Sequence, residues 1–440
     1  MSSPPAAETV FRVRGGAALE GTVRLSGAKN SVLKLMAASL LSDGTVELDS
    51  VPDITDVPVM AAVLAGLGVE VQHDAAAERC RLEVVDDTSV RPPRDAVVRI
   101  RASIACLGPL VARRGAAHLA LPGGDRIGAR SIDLHLEGLA AMGADIERHD
   151  DGIVVTAPRL RGARITLDFP SVGATENLVM AATLAEGRTV IDNAAREPEI
   201  ADLCRMLVAM GADIGGIGTP TVTVHGVERL AGVRWQTCPD RIEAGTYLIA
   251  GALTRGRVRV ERVRADDLTL PLRKLTDAGA SVEVEGDAVT VTGPQGPLRP
   301  VDVVTLPYPG FPTDLQPQMM VLLTQADGLS RCTENVFESR FSFVEQLRRM
   351  QADIEVEGHH AMLSGPTPLR GTVLGGLDVR AGAAGVLAGL VASGETLVRD
   401  VHHVDRGYAL FVERLRALGA DVERIEVDGS RLDTVGGVRG

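Results

Sequence analysis

Apolar positions recur along this chain in two alternating registers. Helix-length blocks of Leu, Met, Val and Ala end at a small residue, and segments with every second residue apolar follow them. The motif Leu-x-x-(Leu/Met/Ala)-Gly-Ala-(Asp/Ser)-(Val/Ile) begins at Leu139, Leu207, Leu275 and Leu415, with weaker copies at Leu64 and Leu347. In chain order these starts are separated by 75, 68, 68, 72 and 68 residues, which marks an internal repeat. Each copy predicts the end of a helix, a glycine just past it, and then an alternating strand. One copy departs from this, with Gln351 in place of the glycine.

A second block recurs in step with the first. It is a small-residue helix closing on Gly or Asp-Gly, seen as KLMAASLLSDG (34–44), IACLGPLVARRG (104–115), LVMAATLAEG (178–187), YLIAGALTRG (247–256), MMVLLTQADG (319–328) and GVLAGLVASG (385–394). β-rich segments such as Thr45–Leu48 and Thr189–Ile191 follow these helices. The unit therefore reads as βαβαββ, six times over, in an α/β chain. Helices apolar around most of their circumference must be covered on all sides, as parallel helices inside a layer of sheets would be. The first unit lacks an opening strand of its own apart from Gly21–Leu25. An N-terminal strand pairing with the last repeat would make one domain discontinuous. The expected division is a domain of three repeats over 30–238 and a second over 1–29 with 239–440.

Length and composition fit this picture. At 440 residues the chain is too long for one ordinary core, and aromatics are only 2%, so Ala, Val, Leu and Ile must fill the interior. No run approaches the roughly 18–20 apolar residues of a membrane helix. The lead MSSPPAAETV lacks the charged and apolar regions of a signal peptide. Cys80, Cys106, Cys204, Cys238 and Cys332 are scattered without metal-type spacing and read as buried free thiols. Together these features point to a cytoplasmic protein without membrane insertion. A net charge of −12 and the absence of a basic, aromatic-laced run argue against nucleic acid as a partner. An anionic ligand then needs a local cluster of cations. The tail after Val427 carries no pattern and is expected to be disordered.

Candidate chemistry sits at two kinds of place. Helix starts rich in Gly, Ser or Thr occur at Ser26–Asn30, Ser171–Thr175 and Pro312–Asp314, where unpaired amides favour anions; taken alone, each reads more simply as a cap. The loop LPGGDRIGAR (121–130) places Asp125 between two glycines and two arginines, Arg126 and Arg130. Arg340 and Arg406 fall at the matching repeat position in the other half. With both halves facing their loops inward, Asp125, Arg130, Arg340 and Arg406 would converge on a small, multiply anionic substrate. Solvated surface arginines are the plainer alternative.

The motifs SGAKNS (26–31), RASIACLGPLVAR (101–113), LPGGDRIGAR (121–130), PSVGATEN (170–177), NAAREPEI (193–200), PDRIEAGT (239–246), PGFPTDLQ (309–316), ENVFESRF (334–341) and VDRGY (404–408) span nearly the whole chain. In this order they resemble the UDP-N-acetylglucosamine 1-carboxyvinyltransferase family of enolpyruvyl transferases. The resemblance implies two inside-out α/β barrel domains of three repeats each. It implies transfer of the enolpyruvyl group of phosphoenolpyruvate to the 3-hydroxyl of UDP-N-acetylglucosamine, with release of phosphate. That is the first committed step of peptidoglycan synthesis, and hence of cell-wall growth and division. Lys29, Asn30, Arg130 and Arg406 would then hold phosphoenolpyruvate. Asp314 would bind and deprotonate the sugar hydroxyl. The nucleotide sugar would be lined by Arg101, Arg130, Ser131, Ile132, Asp133, Leu134, Ser171, Val172, Gly173 and Val336. Arg340 and Arg380 would support the site. No metal or organic cofactor is implied, because lysine and guanidinium supply the charge, and no oligomeric state is assigned.

Two positions depart from the commonest family pattern. Asp125 stands where most members carry cysteine, as in a minority similar to mycobacterial enzymes; it would be the proton donor, and insensitivity to fosfomycin is expected. Ser131 stands where many members have proline. Two other functions stay open at this stage: a paralogous transferase acting on another nucleotide such as UMP, and a catalytically silent, ligand-binding relative.

Overall fold

The computed structural model describes residues 7–124, 127–128 and 131–428. It divides into two compact units, one of residues 26–124 with 131–240, the other of 7–25 and 241–428 with the pair 127–128. The chain passes from one to the other at Ser26 and at Arg241, rather than at Asn30 and Pro239 as the sequence reading has it. Backbone hydrogen bonds account for the difference. Gly27 N–H donates to the Ser50 carbonyl at 2.9 Å, and Ala28 N–H to that of Cys238 at 2.7 Å. Lys29 N–H donates to the Asp240 carboxylate at 3.0 Å. These bonds bind the turn 26–29 to the 26–240 unit. A Cβ on Gly27 would lie 2.1 Å from the Ser50 oxygen, so no other residue fits there.

The 26–240 unit has three central helices: α1 (Lys29–Ala38), α2 (Leu107–Arg114) and α3 (Val172–Ala182). The other unit has α4 (Arg241–Leu253), α5 (Gln316–Leu323) and α6 (Val379–Val391). Every residue of α4 and α5 is buried, as is every residue of α6 except Val391. Helices buried all round must approach one another closely, and glycine allows it. A Cβ on Gly245 of α4 would fall 2.4 Å from Leu315, and one on Gly108 of α2 would fall 2.3 Å from the Asn177 carbonyl. Around each trio stand three sheets. All five cysteines are buried and free.

Among the described residues, five of the six sheets have four strands, and each of these five contains one parallel pair at the edge where its opening strand sits. The sixth, Ala116–Ala120 with Gly152–Thr156 and Asp145–His149, has three. Its fourth place is taken by the segment around Val90, whose carbonyl accepts from His118 N–H at 2.8 Å. Pro92 and Pro93 follow at once and cannot donate, so no ladder extends there.

The first repeat of each unit borrows its opening strand from a distant part of the chain. Val233–Gln236 pairs in parallel with Val46–Asp49, and Glu20–Arg24 with Arg257–Glu261. The N-terminal strand Ala7–Arg14 lies between Glu395–Val398 and Asp421–Asp428, antiparallel to both. That pairing makes the 7–25/241–428 unit discontinuous in sequence. The last strand includes Asp428, one residue beyond the patterned part of the sequence, and the tail 429–440 lies outside the described residues.

The helix-to-strand glycines adopt the left-handed conformation expected of them, with φ of 77° at Gly68, 91° at Gly143, 111° at Gly211, 106° at Gly279 and 94° at Gly419. Gln351 occupies the same turn with φ 73°. A side chain in that region costs about 1–2 kcal/mol, part of which is offset by the extra freedom glycine has when unfolded. Gln351→Gly is therefore expected to stabilise the protein by about 0.5–1 kcal/mol, read as a higher urea midpoint. An unchanged or lower midpoint would contradict this account of the turn.

Candidate active site

In the 7–25/241–428 unit the predicted acid and the two supporting arginines come together. Asp314 lies in the short 3-10 turn Thr313–Leu315 that leads into α5. Arg340 opens the turn Arg340–Phe343, and Arg380 sits in the first turn of α6. Arg340 Nη2 donates to Asp314 Oδ1 at 2.5 Å, and Arg380 Nε to Asp314 Oδ2 at 3.2 Å. Both guanidiniums are almost wholly buried, at 2% and 4% exposure, so their charge must be met locally. Arg340 Nε also donates to Thr313 Oγ1 at 3.2 Å, and Nη1 lies 3.7 Å from Asp378 Oδ2. Their planes rest on aromatic rings, Arg340 over Phe337 at 5.6 Å and Arg380 over Tyr408 at 5.2 Å.

Burial alone would push the Asp314 carboxyl up. Arg380, Arg340 and Arg241 outweigh it and hold the group well below the usual carboxylate range. Asp314 is thus an ionised acceptor in a cationic surround. Asp378 accepts from the amides of Arg380 and Ala381 and so caps α6. Tyr408 is buried, and its hydroxyl bonds Thr246 of α4 and Gln318 of α5, both at 3.0 Å. Arg406, two residues earlier, occupies the half-buried turn between Val401–Val404 and Phe411–Ala417.

Val336 is placed by a residue that sequence reasoning gave no role. Glu334 is buried, and its Oε1 accepts from the amides of Val336 and Phe337 at 2.8 and 3.0 Å. Its Oε2 accepts from Thr313 Oγ1 at 3.0 Å. Thr313 thus links the Val336 loop, Arg340 and the Asp314 turn. A carboxylate two residues before Val336 was visible in ENVFESRF, but not the direction in which it points.

In the 26–240 unit Lys29 begins α1. Its Nζ pairs with Asp56 Oδ2 at 3.0 Å, and both residues are buried. Asn30 follows, half-buried. Two further helix starts meet one another. Ser171 caps α3, with Oγ accepting from Ala174 N–H at 3.3 Å, and Val172 and Gly173 form its first turn. Ser131 lies just before the helix Asp133–Ala141, where its Oγ donates to the Asp133 carboxylate and accepts from the Asp133 amide. Arg148 adds a bond to Asp133 at 2.6 Å, and the Ser131 and Arg148 bonds lower that carboxyl. Ile132 is buried, and Leu134 and Arg101 are half-buried. Asp125 and Arg130 lie outside the described residues.

His135 joins these two helix starts and was missed in the sequence. It is 4% exposed, its Nδ1 accepts from Asn177 Nδ2 at 3.0 Å, and its ring edge lies 3.2 Å from where a Gly173 Cβ would be. Burial, with the charge of Arg101 added, pushes its pKa down to about 4. Its folded value lies below the unfolded 6.5, so its contribution to stability is complete above pH 6.5 and is lost as pH falls toward 4. The full effect is about 3 kcal/mol. His135→Gln should flatten the fall in urea midpoint between about pH 7 and about pH 4; equal slopes in both proteins would count against a buried neutral imidazole.

The model of the family described as EPSP synthase (3-phosphoshikimate 1-carboxyvinyltransferase) matches residues 13–415. The UDP-N-acetylglucosamine 1-carboxyvinyltransferase of Nocardia farcinica is 53% identical over 419 residues, 94% of this chain and 98% of that one. The protein of the same name from Mycobacterium tuberculosis is 51% identical over 415 residues, 94% and 99% of the two chains. This chain belongs to the UDP-N-acetylglucosamine 1-carboxyvinyltransferase family.

Solved structures agree with that membership. The enolpyruvyl transferase NikO from Streptomyces tendae superposes with a TM-score of 0.87 at 29% identity, covering 96% of this chain and 100% of its own. An EPSP synthase from Acinetobacter baumannii, at 18% identity and a TM-score of 0.75 over 95% and 100% of the two chains, shares the fold. The chain therefore has the enolpyruvyl transferase fold. Among the described residues no helix is long and apolar enough to cross a membrane.

Proposed function

We propose that this protein transfers the enolpyruvyl group of phosphoenolpyruvate to the 3-hydroxyl of UDP-N-acetylglucosamine and releases phosphate, in the cytoplasm, as the committing step of peptidoglycan synthesis. The observation that carries the choice of acceptor is identity of 51–53% over 94% of the chain to proteins named for that reaction. The geometry supports the chemistry. Addition needs a proton delivered to the alkene carbon C3, an acceptor for the sugar hydroxyl proton, and fixed cations for phosphate and carboxylate. Asp125 delivers the proton to C3 as the sugar oxygen bonds to C2. Asp314 takes the hydroxyl hydrogen, and its depressed basicity makes it first a hydrogen-bond acceptor that orients the oxygen. The resulting tetrahedral ketal then loses a proton from C3 and phosphate from C2, restoring the double bond in the ether product.

Lys29, Asn30, Arg130 and Arg406 hold phosphoenolpyruvate in this reading, with Arg340 and Arg380 fixing Asp314. Arg101, Arg130, Ser131–Leu134, Ser171–Gly173 and Val336 line the nucleotide sugar. The experiment is phosphate release from phosphoenolpyruvate with UDP-N-acetylglucosamine or with UMP as acceptor. Release only with the nucleotide sugar supports the proposal. Release only with UMP moves the protein to a paralogous pathway, and no release with either makes it a silent relative.

A further inference from the structure

Two motifs singled out in the sequence, PSVGATEN and NAAREPEI, contribute carboxylates to which the reaction above gives no role. Glu176 of α3 is 1% exposed, Glu199 is 3% exposed, and Glu197 is also buried. Glu176 Oε1 lies 3.4 Å from Nζ of Lys34 on α1. The same Nζ reaches back along its own helix and donates to the Asn30 carbonyl at 2.7 Å. Lys34 therefore stands directly beneath the Lys29–Asn30 turn. That turn is held from two other sides by Asp240 on the Lys29 amide and Asp56 on the Lys29 ammonium.

We propose that Lys34 and Glu176 form a proton-linked charge pair that sets how strongly the Lys29–Asn30 turn attracts phosphoenolpyruvate. The inference rests on the functional reading above. With Glu176 protonated, the Lys34 ammonium adds positive charge to the turn that its partner no longer cancels. With Glu176 ionised, the pair is neutral and that attraction is lost. Burial, reinforced by Glu199 and Glu197, raises Glu176 to about 7 despite Lys34, so the change falls within the working range of a cell.

Other titratable and charged groups lie on the elements packed around Glu176. The helix Pro198–Ala209 presents Asp202, already accepting from Ser31 Oγ, Trp235 Nε1 and Cys238 N–H, and Cys204, whose thiol burial pushes up to about 12. α2 carries Arg113, paired with Asp43, and Arg114, bonded to the Leu67 and Ser89 carbonyls. Arg101 precedes α2, and His135 on the helix Asp133–Ala141 is a neutral imidazole bonded to Asn177. Arg188, Asp192 and His225 lie at the ends of the strands that cover α3.

The sign follows. A dianionic or trianionic ligand near Lys34 favours protonated Glu176, so binding takes up a proton and weakens as pH rises through 7. The charge change at this range is worth about three- to tenfold in KM for phosphoenolpyruvate. The test compares wild type, Glu176→Gln and Lys34→Met as full chains from pH 6 to pH 8, at saturating nucleotide sugar, with melting temperatures measured in parallel. Wild type is expected to show a KM that climbs three- to tenfold more than in E176Q, which stays near the low-pH value and so also corrects for the ligand's own ionisation. K34M should have a raised KM at pH 6 and little further climb. Calorimetry at pH 7 in two buffers should show more proton uptake on phosphoenolpyruvate binding to wild type than to E176Q. A folded E176Q whose KM follows wild type at every pH, or rises by one constant factor, would overturn the proposal. Phosphate release by wild type at pH 6 checks the underlying reaction separately, and proton uptake tests the pair even if that release is absent.

Discussion

Asp314→Asn is expected to lower kcat for phosphate release by about 10²–10⁴, with the KM for phosphoenolpyruvate changed much less. The size is that of a lost group in proton transfer, and the site explains why asparagine is no substitute. Asp314 meets Arg340 with one oxygen and Arg380 with the other. An amide presents one oxygen and an NH2, so one of two nearly buried guanidiniums would face a donor. The same change should therefore destabilise the fold by about 1–3 kcal/mol at neutral pH. A carboxyl held below its usual range gives stability that is complete above its unfolded value near 3.9 and is lost as pH falls below that. The stability gap between the two proteins should accordingly narrow in acid. Asp314→Glu keeps the charge but displaces it by one methylene, and should recover folding more fully than rate. If D314N turned over within tenfold of wild type, the sugar hydroxyl would need another partner.

The second large effect concerns residue 125. Wild type should keep its activity after incubation in millimolar fosfomycin, whereas Asp125→Cys should lose it progressively, at a rate proportional to inhibitor. The epoxide alkylates a thiolate far faster than a carboxylate, and cysteine reactivity follows its thiolate fraction. Arg126 and Arg130 follow the position closely in sequence. They would favour the anion of either residue, which makes cysteine there more reactive and an aspartate more reluctant to keep its proton. Bound anionic substrates and exclusion of water would offset that charge during turnover. Time-dependent inactivation of wild type at low fosfomycin would refute the argument. Retained resistance in an active D125C would refute the nucleophile half of it.

Much of the architecture was readable because its devices are local. A left-handed glycine after the second helix of most repeats leaves a trace every seventy residues or so, and Gln351 visibly breaks it. Helices such as Arg241–Leu253 carry too little polarity to face water, which already implies sheets on every side. What could not be read is partner choice across long separations. The parallel pairing of Glu20–Arg24 with Arg257–Glu261 leaves no local mark, since both strands alternate in the same way as their neighbours. The division at Ser26 likewise depends on the Ser50 and Cys238 carbonyls, which are distant in sequence.

The site shows the same limit. Resemblance named Asp314, Arg340, Arg380 and Val336 one by one, but not that Thr313 and Glu334 tie them together. His135 was hidden because one histidine after an Asp-Leu pair is uninformative until Gly173 is seen to leave room for its ring. Lys34 and Glu176 were equally silent, one read as part of an apolar helix and the other as part of a motif.

Ala7 and Asp428 are neighbours in an antiparallel ladder, so the two ends of the described chain lie within about 5 Å of each other. Joining these two residues with a short linker would close residues 7–428 into a ring. Opened at Arg241, that ring reads as 241–428 and then 7–25, followed by 26–240, with only the pair 127–128 out of place. In sequence order, residues 7–428 are a circular permutation of that arrangement, cut between the paired strands of a single sheet. A permutant of residues 7–428 starting at Arg241 would carry each unit as a single stretch of sequence, apart from the pair 127–128.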